Sequence, residues 1–405
     1  MVSVLMCTYN RERLLKYAMD SVLNQTYQNL EFIIIDDGST DGTEELIKSY
    51  RDERIRYFKM ERNSYYCYAA NFGLGKCQGK YIAFMNSDDI WNLDKLEKQV
   101  NFMEEHEEYG ACFSFVTLID DDGKDVTDKC TEMRDLFGKQ FDTQKERFRY
   151  LFKYENCLSH PSAFVRKDLM DKIGGYNLMY CQMADCDLWL RMMLEKPIYV
   201  FREPLIQFRW HVKSEKQISY ATPGNVIRTF NEQVLIQKHL MEKISDEKFM
   251  EFFGDQFKNK NSASKIELEF EKAFILAESI GNAPELKVLA IEKLEEVLRT
   301  PGALEVLREH FSMDIFDVYN WNKDHMYTSK WLSKEIEDLR LTANHQENLK
   351  NVLEIQKEEL MKMIEEQERL ISQYQNVIQE YENSTSWKVT KPLRNFMRMV
   401  KNIKK

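Results

Sequence analysis

No stretch of the 405-residue chain is apolar for the roughly 20 residues that a helix needs to cross a bilayer, which argues against an integral membrane protein. Cysteine is sparse and scattered. The eight thiols, at positions 7, 67, 77, 112, 130, 157, 181 and 186, include no Cys-x-x-Cys pair, so they read as reduced and mostly buried rather than as a disulfide framework or a zinc site. Positive charge is in deficit: 57 Lys and Arg against 67 Asp and Glu leave a net charge of −10, which excludes nucleic-acid binding of the whole-surface basic type. No Gly-x-Gly-x-x-Gly follows the first strand-like segment, and no glycine-rich loop ends in Lys-Ser/Thr, which disfavours dinucleotide and P-loop phosphate sites. Met1 leads straight into Val2–Met6, so the sequence predicts no signal peptide and a cytoplasmic location.

The charge that is present is unevenly placed. Residues 388–405 hold seven Lys or Arg and no acid, and the other 387 residues then carry a net −17. Up to about residue 215, short β-rich runs alternate with helix-length segments. The strand candidates are Val2–Met6, Phe32–Ile35, Ile55–Lys59, Tyr81–Met85, Ala111–Val116, Ala163–Val165, Ile198–Phe201 and Leu205–Trp210. Glu12–Leu23 and Thr43–Tyr50 are helical in pattern, the latter with Asp41 as its capped start. This alternation predicts an α/β fold with a largely parallel sheet sandwiched by helices over residues 1–221.

Residues 222–330 change to helical periodicity, with breakers at Pro223-Gly224 and Pro301-Gly302, and read as a small helical domain. Residues 331–383 contain no Gly or Pro. Leu353, Leu360, Gln367, Tyr374 and Tyr381 fall at one heptad position and Leu349, Gln356, Met363, Leu370 and Val377 at another, which predicts a coiled coil, with a second copy of the chain as its partner, or else one long helix folded back. The last segment, 384–405, reads as a basic amphipathic tail. Leu393, Phe396, Met397, Val400 and Ile403 share one helical face, and Arg394, Arg398, Lys401 and Lys405 the other. That pattern suits an anionic membrane surface, and so a peripheral position on the inner face of the cell membrane.

Two segments run from an apolar strand directly into paired acids: Phe32–Ile35 into Asp36-Asp37-Gly38-Ser39, and Tyr81–Met85 into Asn86-Ser87-Asp88-Asp89. Ligands of open α/β sheets bind beyond the carboxyl ends of strands, so both pairs are expected to line one crevice. Adjacent carboxylates repel unless a cation or hydrogen-bond donors lie between them, and a divalent metal is the common solution.

Taken in order, these segments resemble the inverting family-2 glycosyltransferases of bacterial surface-polysaccharide type, which have the GT-A fold. Ser3-Val4-Leu5-Met6-Cys7-Thr8-Tyr9-Asn10-Arg11 resembles the family's first strand and nucleoside-binding turn. Ser21–Tyr27 resembles its following helix end, and Ile35–Ser39 its uracil-contacting loop. Asn86–Asp89 resembles its Asp-x-Asp-type metal motif, and Gly174-Gly175-Tyr176 with Ala184–Arg191 its acceptor-side segment.

The resemblance implies transfer of a sugar from a nucleotide-sugar donor, UDP-linked, to a glycan or lipid-linked saccharide acceptor. By the same resemblance Asp185 is the general base. Cys7, Thr8, Tyr9, Asp37 and Asp88 belong to the nucleotide site, Asp89 and His211 to a Mn2+ or Mg2+ site, and His160 to the acceptor side. A helix N-cap role for Asp185 is compatible with the base role. Departures are visible: the family's Ala-Arg-Asn is here Ala69-Ala70-Asn71, its Glu-Asp is Ala184-Asp185, and its first metal-motif acid is Asn86. A sugar-nucleotide-binding scaffold assembled through the coiled coil is the alternative. A nucleotidyltransferase is disfavoured because Cys7–Leu14 lacks the glycines its phosphate loop needs.

Overall fold

Apolar residues crowd β1 (Val2–Thr8) and β2 (Leu30–Asp36), and every residue of β2 is buried. Strands this uniformly apolar leave no face for water, and parallel pairing with helices on both sides hides both faces. The chain is described here by a computed structural model covering residues 1–210, 222–278, 284–324, 367–369, 371, 373–377, 379–380 and 385–403. With β3 (Ile55–Lys59), β4 (Tyr81–Asn86), β5 (Ile90–Trp91), β6 (Ala111–Ile119), β7 (Phe164–Arg166) and β8 (Ile198–Arg209), the strands form one eight-stranded sheet in the order β3-β2-β1-β4-β7-β6-β8-β5. The pairs β1–β2, β1–β4, β2–β3 and β6–β8 are parallel, whereas β4–β7, β6–β7 and β5–β8 are antiparallel. The sheet is mixed, with four parallel and three antiparallel pairings, so the parallel part expected from the alternation is β3-β2-β1-β4 and β6-β8.

Alternate residues of the central strands feed opposite cores. Leu5, Ile33, Ile35, Ile82 and Phe84 enter one, and Val4, Met6, Phe32, Ile34, Ala83 and Met85 the other. The second core is closed by α1 (Leu15–Leu23), α2 (Thr43–Ser49) and α4 (Lys95–Glu105). The first is closed by α3 (Tyr66–Leu74), α6 (Gln144–Lys153), α7 (Lys167–Ile173) and α8 (Ala184–Glu195); α5 (Thr131–Phe137) lies between β6 and α6 in the chain.

The helices after residue 222 are α9 (Pro223–Lys243), α10 (Asp246–Phe253), α11 (Lys265–Ala277), α12 (Pro284–Leu298), α13 (Ala303–Phe311) and α14 (Ile315–Asp324). They extend the first core through Ile236, Phe249, Phe252 and Phe253, and build a smaller one around Phe270, Phe274, Leu294 and Leu307. The chain divides into one compact unit, Met1–Tyr327, and a second, Thr328–Lys405. In the second unit α15 (Thr385–Ile403) carries Pro392 in its interior and exposes Leu393, Phe396, Met397 and Val400. The coiled-coil segment lies largely outside the described residues, and those described between 367 and 380 are helical. Among the described residues no helix is long and apolar enough to cross a membrane.

Local differences from the sequence pattern have local causes. The candidates Ile198–Phe201 and Leu205–Trp210 form one strand, β8, whose register against β6 shifts between Ser114 and Val116, opposite Pro204. Proline cannot donate to a ladder and is tolerated at such an irregularity. Helix α2 begins after Gly42, one residue later than a cap at Asp41 implies, yet the Asp41 carboxylate still accepts the Thr43 N–H at 3.1 Å. Asp185 is not an N-cap. Met183 holds that position, and Asp185 lies in the first turn of α8.

Candidate active site

Beyond the carboxyl ends of β1, β2 and β4 opens a cavity of 510 Å³. It gathers Cys7, Thr8, Tyr9, Asp37, Asp88, Asp89, His160 and Asp185, eight positions spread over nearly 180 residues of chain. His211 lies outside the described residues.

At the β1 end, the Thr8 carbonyl accepts the Asp37 N–H at 2.8 Å, which locks the two strand ends together. The Thr8 hydroxyl is buried and has no partner among the described residues, and the Tyr9 ring is 41% exposed at the cavity wall. Burial pushes the Cys7 thiol up, so it stays neutral. The two acids after β2 part company. Asp36 accepts the Ser39 N–H and the Tyr57 hydroxyl, both at 2.8 Å, and does not line the cavity, contrary to the expectation that both acids would. Asp37 does line it. Burial raises its carboxyl while the Ser64 N–H, at 2.8 Å, opposes the rise. Gly38 makes this turn with φ +79°, and a Cβ there would come within 2.7 Å of the Arg62 backbone.

At the β4 end, Asp89 is 1% exposed. Its two oxygens accept the Arg209 backbone N–H at 2.7 Å and the Asn86 amide at 2.9 Å. Burial, and then the charge of Asp88, hold its carboxyl well above the ordinary carboxylate range. Arg11 Nε lies 3.7 Å from Asp88, and Arg209 Nε donates to the Asp88 carbonyl at 2.8 Å.

Among the described residues no group of three or more His, Cys, Asp or Glu is arranged to hold a metal. The two carboxylates nevertheless fit a divalent cation of the Mg2+ or Mn2+ kind. They are hard oxygen donors on adjacent residues, Asp89 buried and Asp88 half-buried, and such ions are commonly held by one or two carboxylates with phosphate and water completing the shell.

Asp185 stands at the third corner of the cavity. Its oxygens accept the Cys186 N–H at 2.8 Å and the Asn156 amide at 2.7 Å. Burial pushes its carboxyl up to about 6, against these hydrogen bonds. That value suits a group that must be ionised near neutrality and still accept a proton. His160 Nε2 sits 2.9 Å from the Tyr66 hydroxyl and 2.8 Å from that of Tyr176, and burial pushes the imidazole down to about 4, so it is neutral at physiological pH.

Several site residues escaped the sequence pattern. Arg11 and Arg209 line the cavity, and they are cations near the paired acids in a chain where Ala70, fully buried, replaces the family's arginine. Asn71 exchanges hydrogen bonds with the Tyr176 backbone at 2.7 and 2.8 Å and so holds the loop that supplies Tyr176. Arg11 and Asn71 lie within the motifs named above with no role assigned to them there, and Arg209 lies in none. Trp189 is fully buried, and Arg191 pairs with Asp187 at 2.7 Å, both structural.

The sequence pattern described as Glycosyl transferase family 2 matches residues 3–174, so Asp185 lies beyond the matched stretch. An uncharacterized glycosyltransferase of Methanocaldococcus jannaschii is 32% identical over 238 residues, which is 55% of this chain and 78% of that protein. The putative teichuronic acid biosynthesis glycosyltransferase TuaG of Bacillus subtilis is 42% identical over 127 residues, 30% of this chain, and the chain spans about half, 49%, of that relative. Among solved structures, S. aureus TarS 1-349 in complex with UDP-GlcNAc superposes with a TM-score of 0.50 at 17% identity, covering 81% of this chain and 93% of that one, a likeness of fold. The motifs, the mixed sheet that carries them and the extent of the archaeal match agree: the chain belongs to glycosyl transferase family 2.

Proposed function

We propose that the chain is an inverting glycosyltransferase that moves a sugar from a nucleotide donor, UDP-linked, to a glycan or lipid-linked saccharide. The observation that carries this reading is Asp185, a carboxylate raised to about 6 and exposed to the same cavity as Asp37, Asp88 and Asp89.

The nucleoside lies at the β1–β2 end. There Asp37 accepts the imide N–H of a uracil, the Tyr9 ring packs on the base, and the buried Thr8 hydroxyl and the neighbouring Cys7 complete the wall. The acceptor hydroxyl approaches Asp185. As its oxygen forms the bond to the anomeric carbon, its proton passes to the Asp185 carboxylate, and the bond from the anomeric carbon to the diphosphate oxygen breaks on the opposite side, which inverts the configuration. The cavity is poised for this because Asn156 and the Cys186 N–H hold the Asp185 oxygens in one orientation. His160, neutral and held by Tyr66 and Tyr176, forms the acceptor-side wall. Arg11 and Arg209 supply positive charge beside the leaving diphosphate, in place of the missing arginine at Ala70. A Mn2+ or Mg2+ ion held by Asp89 and Asp88 would act as a Lewis acid toward the departing diphosphate.

The test combines binding and turnover. Nucleotide sugars are screened by thermal shift with and without Mn2+, and transfer is then assayed for Asp185→Asn. Stabilisation by a UDP-sugar that requires metal, with turnover lost and binding kept in Asp185→Asn, is the expected result. No shift with any nucleotide overturns the reading.

A further inference from the structure

The carboxylate of Glu232 sits beneath the segment that delivers Asp185. It is 3% exposed and belongs to α9, outside the stretch that matches the family. One of its oxygens accepts the Cys181 N–H, and the other accepts those of Gln182 and Met183, all at 2.8 Å. These donors belong to the loop that runs into α8, Met183 being the residue at its N-cap, and buried N–H groups of a loop need such a partner. The loop entering α8 is thus held by an anion from a different helix, some 50 residues away. Cys181, Gln182, Ala184 and Asp185 all line the cavity, so the segment that Glu232 holds leads directly into a wall of the site.

The same helix grips the other side. Gln237 donates to the Phe152 carbonyl at 2.7 Å and Gln233 to the Tyr154 carbonyl at 3.1 Å, at the end of α6, just before Asn156. Asn156 is the residue whose amide holds Asp185. Three side chains of α9 at positions 232, 233 and 237 therefore fix both segments that meet at the Asp185 carboxylate. We infer that Glu232 is a positioning residue for the transfer reaction, and that α9 acts as a clamp that sets the place and orientation of Asp185. The inference rests on the reading of Asp185 as the base.

The groups that face Glu232 are Asp185 on α8, Cys67 on α3 and Tyr180 on the preceding loop. The Arg228 guanidinium, one turn earlier on α9, lies 3.6 Å from the Cys181 sulfur. Like charge from Glu232 is one of the smaller causes that raise the Asp185 carboxyl, burial being the largest. Neutralising Glu232 therefore moves the Asp185 titration to lower pH.

The experiment uses the full chain with Glu232→Gln, which can no longer accept three N–H bonds, and Glu232→Asp, which keeps the charge but withdraws it by one methylene. Three readouts apply: amide hydrogen exchange over Cys181–Met183, the Asp185 titration followed by carbon-13 NMR, and UDP release from UDP-GlcNAc with Mn2+. For Glu232→Gln, exchange at the three amides quickens at least about tenfold, the Asp185 titration falls, and kcat drops on the order of tenfold to a hundredfold with KM little changed. For Glu232→Asp, exchange quickens while the titration stays. Unchanged exchange and titration in a variant that melts with the parent overturns the clamp, as does a loss of turnover matched by an equal loss of UDP affinity. Failure of the base reading is seen separately. Turnover that survives Asp185→Asn removes the catalytic purpose of the clamp, whatever the exchange result.

Discussion

The side-chain amide of Asn156 donates to Asp185 Oδ2 at 2.7 Å, so the carboxylate proposed as base is held from a different part of the chain than the helix that bears it. This bond favours the ionised form, and burial opposes it, leaving Asp185 at about 6. As the base, Asp185 must be ionised, so kcat/KM falls with falling pH below about 6. Asn156→Ala removes a bond to the charged form, and the acid limb moves upward by roughly one pH unit. A pH–rate profile of the two proteins checks both statements. The same shift has a stability sign. Between the ordinary 3.8 and about 6 the folded state binds more protons than the unfolded, so the contribution of Asp185 to stability declines as pH rises through that window. Asp185→Asn flattens it.

Asp37 is buried, and its oxygen is tied to the Ser64 N–H. Asp37→Ala removes the acceptor for the imide hydrogen, and UDP binding measured by calorimetry weakens about tenfold to a hundredfold, since a polar group of the ligand is left unpaired. The melting temperature changes little by comparison. Unaltered UDP affinity would remove Asp37 from the nucleotide site.

Lys95 is fully buried behind the acid loop. Its ammonium lies 3.9 Å from the centre of the Trp91 ring and donates to Gln99 at 2.7 Å, while burial pushes it down to about 7. Between about 7 and the ordinary 10.5 the unfolded chain holds more protons, so stability from this group rises with pH across that range and is lowest at and below about 7. Lys95→Met therefore stabilises most near pH 6, by roughly 2–4 kcal/mol, and the gain fades toward pH 10. Urea melts at both pH values measure it. A gain independent of pH contradicts the burial argument.

Helix α15 places exposed Leu393, Phe396, Met397 and Val400 beside Arg394 and Arg398. The full chain is expected to sediment with vesicles of anionic lipid and to release as salt is raised, each basic group near the surface contributing about 1 kcal/mol. Phe396→Asp weakens the binding, and a chain ending at Asn383 loses it. Equal sedimentation of the shortened chain removes the tail from membrane attachment.

Much of this protein was legible in its residue order because the relevant signals are local. The mainly apolar runs of β2 and β4, leading into Asp36-Asp37 and, two residues on, Asp88-Asp89, place acids at strand ends, since a change from apolar to charged residues is a local signal of where a strand stops. The tertiary structure decided what each acid does. Asp36 and Asp37 are neighbours, yet Tyr57 and Ser39 claim the first while the cavity keeps the second. Arg209, Asn156 and Glu232 carry no motif, because what brings them to the site is the pairing of β8 with β6 and the packing of α9 on the segments beside α8. Contacts between residues 29 to 120 positions apart depend on how strands and helices stack, and side-chain order along the chain does not encode that distance.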